Sequence, residues 1–182
     1  MTTAPEFVAA TNCLPPGRYA MEPAGVERRF VTCEEFADST TRAALWREWN
    51  EHLTLLETVT GNKIARAWIS GSFVSAKIDP KDIDCTYFIE STDYDALDSE
   101  DREILQNLID VKWCHKRRMR IDPYLVPLVS GLKFWQLERE DLFSPTARAS
   151  FQSIGLYDEV WGRLKGEEDG LSRRRGYVEV LL

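Results

Sequence analysis

Two carboxylates one residue apart, Asp82 and Asp84, follow the pair Gly71-Ser72 across nine intervening residues in GSFVSAKIDPKDIDCTYFIE. Residues i and i+2 of a strand point to the same face, so both acids can reach one hard cation or a pair of them. A third acid lies in Arg120-Ile121-Asp122-Pro123, again just before an apolar run. Convergent carboxylates of this kind suit metal-assisted transfer from a nucleoside triphosphate. Mg²⁺ takes one or two carboxylates and completes its octahedron with substrate phosphate and water. Gly71 suits a turn where backbone must approach a ligand closely. Ser72 adds a hydroxyl, and the amides of such a turn can form a small anion nest. Against this stands a plainer reading, in which the D-x-D pair is a solvated strand face.

The elements that must position these residues follow from periodicity. Ile64–Ile69 reads as a strand leading into the Gly-Ser turn, and Ile83–Ile89 as the strand carrying the acids, with Ile83 turned to the core. Pro80 fits the loop between them. Trp46, Trp49, Leu53 and Leu56 recur at helical spacing, which predicts an amphipathic helix from Thr40 to Val59 stopped by Gly61-Asn62. The acidic stretch Glu90–Asp101 reads as a solvated loop, or as a second metal site. It ends in a Ser99 cap, and one helix is expected from there to Lys116, with Ile104, Leu105, Leu108 and Val111 inward. Met119–Leu128 is the third strand. Pro123 removes a backbone donor, which puts Asp122 at a sheet edge or a strand end. Ser144-Pro145 opens a late helix with Phe151, Ile154, Val160, Trp161 and Leu164 as its apolar face. A polar turn over 166–170 and a terminal strand from Tyr177 to Leu182 complete the chain. Residues 1–25 are Pro-rich and are expected to wrap the surface.

The 182 residues fit one domain able to bury most of its apolar surface, and 43% hydrophobic content is that of a soluble globular protein. A net charge of −7 argues against a whole-surface nucleic-acid binder, though not against a nucleotide enzyme. Cys13, Cys33, Cys85 and Cys114 form no C-x-x-C pair and read as reduced thiols, and Cys114-His115 is too little for a metal site. No apolar run is long enough to span a bilayer and the N-terminus lacks a secretory pattern, so a cytoplasmic location is expected. Two basic clusters stand out in this acidic chain: Lys112, Lys116, Arg117, Arg118 and Arg120, and Arg173-Arg174-Arg175. Each has two readings: charges that stabilise a helix end or solubilise a turn, or a landing site for phosphates.

The G-S-x9-D-x-D pattern with a later third acid resembles the nucleotidyltransferase superfamily of the DNA polymerase β type. The whole chain resembles one small family, the nucleotidyltransferase-like DUF6932. The matching residues are Leu14-Pro15-Pro16-Gly17, Trp68-Ile69-Ser70-Gly71-Ser72-Phe73-Val74 and Asp79-Pro80-Lys81-Asp82-Ile83-Asp84. Tyr157, Trp161, Gly170 and Gly176-Tyr177-Val178-Glu179-Val180 complete the set. The family pattern carries Lys before the final glycine, where this chain has Arg175. The resemblance implies an α/β fold, a small mixed sheet with helices mainly on one face. It also implies transfer of a nucleoside monophosphate from an NTP or dNTP to a hydroxyl, with release of pyrophosphate. Asp82, Asp84 and Asp122 would hold Mg²⁺ or Mn²⁺, with Asp122 also a base. Gly71 and Ser72 would cradle phosphates, with Lys77 on the intervening loop a further contact. The basic stretch next in sequence to Asp122 adds Lys116 and Arg118 as candidate nucleotide contacts on charge and position alone.

The acceptor is open: a nucleic acid, a nucleotide or a protein hydroxyl. A rival class is a non-catalytic relative that binds nucleotide or a cognate partner protein, as small proteins of this kind resemble members of toxin–antitoxin and phage-defence pairs. A third class is a structural domain whose acids only solubilise an edge.

Overall fold

The computed structural model describes residues 4–129, 145–164 and 174–182. Five strands form one mixed sheet: β1 (Gly17–Met21), β2 (Ile64–Ser70), β3 (Ile83–Glu90), β4 (Ile121–Leu128) and β5 (Gly176–Leu181), in the order β1-β5-β2-β3-β4. The β1–β5 and β3–β4 pairs are parallel, and β5–β2 and β2–β3 are antiparallel. Six helices accompany it among the described residues: α1 (Pro23–Phe30), α2 (Arg42–Thr60), α3 (Ser91–Ala96), α4 (Ser99–Leu108), α5 (Val111–Lys116) and α6 (Pro145–Gly162).

The central strands β2 and β3 are covered on both faces, which is why they read as apolar runs rather than strict alternations. On one face, Ala67, Ile69, Ile83, Cys85, Tyr87 and Ile89 meet the apolar stripes of α1, α2 and α4. On the other, Trp68, Phe88, Val126, Leu128 and Tyr177 form a smaller cluster with Trp161 of α6. The expected stripe of Trp46, Trp49, Leu53 and Leu56 is buried, and Gly61 ends α2 in the left-handed region at φ 65°. β4 is an edge strand, which is where Pro123 and Pro127 can sit without breaking an inner ladder.

Several expectations need correction. The helix foreseen from Ser99 to Lys116 is two helices. Asp110 breaks it by accepting from the amides of Lys112 and Trp113, which starts α5 afresh. The cap of α4 is Asp98, not Ser99, and Ile104 is exposed on it. The acidic stretch after β3 folds into α3 rather than a loop. The N-terminal segment does more than wrap the surface. Leu14 is buried, and β1 extends the sheet by pairing with β5. Leu164 lies past the end of α6, and Val160 on it is exposed. The Ser144 cap, the 166–170 turn and Arg173 lie outside the described residues.

No helix among the described residues is long and apolar enough to cross a membrane.

Candidate active site

The register sets the acids in a row. Ser70 of β2 stands opposite Asp84 of β3, and Asp84 opposite Asp122 of β4. Side chains of such register partners share a face. It is the α6 face, because Ile83, Cys85 and Ile121 on either side of the acids are buried in the larger core. Asp82 immediately precedes β3, one step along that face. All three acids are partly exposed.

Gly71 comes next after Ser70 and has φ 73°, a conformation L side chains seldom adopt. A Cβ placed there would sit 1.8 Å from Asp84 Oδ2. The turn backbone therefore lies directly against the carboxylate, and only glycine leaves room for it. Ser72 opens a tight turn in which its carbonyl accepts from the Ser75 amide and hydroxyl.

The loop from Gly71 to Asp82 is held by a residue the sequence reading passed over. Arg42, the first residue of α2, is fully buried. Its Nη1 donates to the carbonyls of Phe30 and Phe73 at 2.7 Å each, its Nη2 to Ser75 (2.8 Å) and Lys77 (2.6 Å), and its Nε to Ile78 (3.2 Å). The guanidinium also lies 3.6 Å over the Phe36 ring. Burial pulls its pKa down to about 10, still cationic at neutral pH. Asp79 closes the same loop onto the start of α2, accepting from the Thr40 amide at 2.7 Å and from Ser39 and Thr40 hydroxyls. From the other side, residues 12–14 bridge loop and sheet. The Ala76 amide donates to the Asn12 carbonyl, Cys13 bridges to Ser75, and the Gly176 amide donates to the Leu14 carbonyl. A Cβ at Gly176 would meet the Pro15 carbonyl at 2.2 Å, so the Leu14-Pro15 and Gly176 motifs exist to fit one another.

The basic clusters divide. Arg120 is paired with Glu48 through contacts of 2.6 to 3.2 Å. Burial alone would raise the Glu48 carboxyl, but the hydrogen bonds and charge of Arg120 outweigh it and leave it below its ordinary value. Arg117 stacks on Trp113 at 4.3 Å. Lys116 and Arg118 are exposed at the end of α5 and in the turn after it, and neither makes an ion pair among the described residues. Lys77 is exposed likewise, with only its backbone held by Arg42 and Ser75. Arg174 pairs with Asp158 and Glu159 of α6.

Arg175 is the cation brought to the acids. Its Nε donates to the Trp161 carbonyl at 3.0 Å, the same oxygen that accepts from Ser70 Oγ at 3.2 Å. Burial lowers its pKa, and the nearby Cys13 and Asp84 pull it back up. Its signal in the sequence was its place before Gly176, where the family pattern carries Lys; the run of three arginines alone did not tell it from its neighbours.

Among the described residues no group of three or more His, Cys, Asp or Glu is gathered closely enough to hold a metal ion. What the strands offer is an oxygen-only pair, Asp84 and Asp122, with Asp82 next along. That donor set fits a cation which takes one or two carboxylates and draws the rest of its shell from phosphate and water.

A mixed five-stranded α/β sheet with acids at the starts of two parallel strands, beside a glycine turn clamped by buried arginine, defines the class. The chain belongs to the family of unknown function DUF6932, which matches residues 5–181. No curated protein and no solved structure matches it.

Proposed function

We propose that this protein is a metal-dependent nucleotidyltransferase with a polymerase β-like fold, moving a nucleoside monophosphate from an NTP or dNTP to a hydroxyl acceptor. The observation that carries the reading is the row Ser70–Asp84–Asp122 with the Gly71 backbone pressed against Asp84. Asp84 and Asp122 would hold Mg²⁺ or Mn²⁺, with Asp82 beside them for a second ion, and the metal when bound would supply Lewis-acid polarisation of the phosphoryl oxygens. The Gly71-Ser72 amides and the Ser72 hydroxyl would donate to the phosphates, and Arg175, close enough to feel the charge of Asp84, would donate its remaining N–H groups to the same phosphates. The acceptor oxygen bonds to the α-phosphorus while the bond to the β-phosphate bridge breaks. Pyrophosphate leaves, and the acceptor proton passes to Asp122. The clamped loop keeps the donors oriented before substrate arrives.

The test is incubation with each labelled NTP and dNTP in Mg²⁺ or Mn²⁺, resolving free, nucleic-acid-linked and protein-linked label. Label transfer with pyrophosphate release is expected, lost in Asp84→Asn and cut at least tenfold in Arg175→Met. In Lys116→Glu/Arg118→Glu it should change less than threefold. Tight nucleotide binding without transfer by the wild type selects the non-catalytic partner-protein reading. Absence of both binding and transfer refutes the nucleotide site.

A further inference from the structure

One pleat beyond the acid row, on the same face, Thr86 of β3 stands opposite Tyr124 of β4. Tyr124 is 38% exposed, and its ring centre lies 5.5 Å from Tyr157 and 5.8 Å from Trp161, both on α6. Trp161 is a fixed backstop: it is buried, its Nε1 donates to Thr86 Oγ1 at 2.9 Å, and its carbonyl holds Ser70 and Arg175. Tyr124 is the most exposed of the trio, two residues from Asp122 along the strand. Neither the Tyr124 nor the Tyr157 hydroxyl makes a hydrogen bond among the described residues. A phenol hydroxyl can donate as well as accept.

We propose that Tyr124, backed by Tyr157 and Trp161, is a stacking platform for a nucleobase delivered beside the carboxylate pair. It rests on the transfer reading above and gives that site its ring-binding half. An exposed aromatic face beside a phosphate site is the arrangement by which proteins hold nucleotides with little regard to base, since every base has a π face. The two hydroxyls add donors and acceptors at the ring edge. The base belongs either to the triphosphate or to the end of a nucleic-acid acceptor, and different probes separate the two.

Binding is measured by calorimetry in Mg²⁺ with ATP, CTP, inorganic tripolyphosphate and a short single-stranded oligonucleotide. Tyr124→Ala should weaken the base-bearing ligand about 5- to 150-fold, the range for losing one stacked base. Tyr124→Phe should keep within about threefold of wild type, because the ring is retained. Tripolyphosphate should bind both variants as it binds wild type, which also verifies the fold. Loss confined to ATP and CTP assigns the platform to the triphosphate's base, and loss confined to the oligonucleotide assigns it to the acceptor. If tripolyphosphate binds but Tyr124→Ala leaves every base-bearing ligand unchanged, the platform is overturned and the transfer site stands. If the wild type binds none of the probes, both fall.

Discussion

Adding one methyl group at Gly71 should harm this protein in two separable ways. The φ of 73° costs an L residue about 1–2 kcal/mol. The new Cβ would also lie 1.8 Å from Asp84 Oδ2 and 2.9 Å from Asp84 Cγ, so the carboxylate must move at an overpacking cost of about 1–3 kcal/mol. Gly71→Ala in the wild type should therefore lose about 2–5 kcal/mol. In an Asp84→Ala background the two close atoms are gone and the nearest remaining one, Cβ, is at 3.4 Å, an ordinary contact. Only the backbone cost persists there, and the double-mutant cycle should give a coupling of about 1–3 kcal/mol. The smaller unfolded-state entropy of alanine is common to both backgrounds and cancels. Urea unfolding of the four proteins measures this, provided the m-value stays constant. Equal costs of Gly71→Ala in both backgrounds would refute the claim that the turn backbone packs on the Asp84 carboxylate.

Arg42→Met should lower stability by at least ~3 kcal/mol, since it orphans several of the five carbonyls Arg42 serves at ~1–3 kcal/mol each. Arg42→Lys should recover less than half of that, because an ammonium has three donors rather than a planar five; an unchanged urea midpoint in Arg42→Met would dismiss the clamp. His52 is buried with Nε2 donating to the Leu108 carbonyl at 2.7 Å and Nδ1 accepting from the Tyr87 hydroxyl at 2.9 Å. Burial lowers its pKa, and the Leu108 bond only partly offsets this. The unfolded chain therefore binds a proton below its ordinary 6.5 that the folded chain refuses. Stability is full above pH 6.5 and falls by up to about 1.4 kcal/mol per pH unit below it. His52→Gln should flatten that slope relative to wild type; parallel profiles for the two proteins would reject the assignment.

Local chemistry was legible where one residue type has one physical reason to be present. The Trp46, Trp49, Leu53 and Leu56 stripe faces the core, Gly61 ends its helix, and Gly71 has the positive φ that a tight turn after a strand calls for. Pro123 correctly marks an edge strand. The failures share a cause: the deciding partner is remote in sequence. Nothing near Arg42 says that its guanidinium will be met by carbonyls from residues 30, 73, 75, 77 and 78. Nothing in Gly17–Met21 shows a pattern of its own, and that strand exists because β5 lies alongside. The break at Asp110 was missed because apolar spacing runs on through it, while the competing capping bonds depend on one carboxylate turning back.

The separated motifs become intelligible once this long-range wiring is known. Leu14-Pro15 seats Gly176, residues 12 and 13 tie to Ala76 and Ser75, and Asp79 ties the loop to α2. Arg42 fills the loop from the side of the larger core, and Arg175 approaches from the α6 face. Both cations are desolvated, which is costly unless backbone oxygens or opposite charge compensate. Arg42 is fully compensated by carbonyls. The Arg175 guanidinium has one hydrogen bond among the described residues and the field of Asp84. On the proposed reading, a guanidinium with that many donors left over sits beside the acids where an anion with its own counterion would complete both sets. The two arginines therefore have different work. One fixes the loop whether or not a ligand is present, and on the proposed reading the other would be satisfied in full by a bound phosphate.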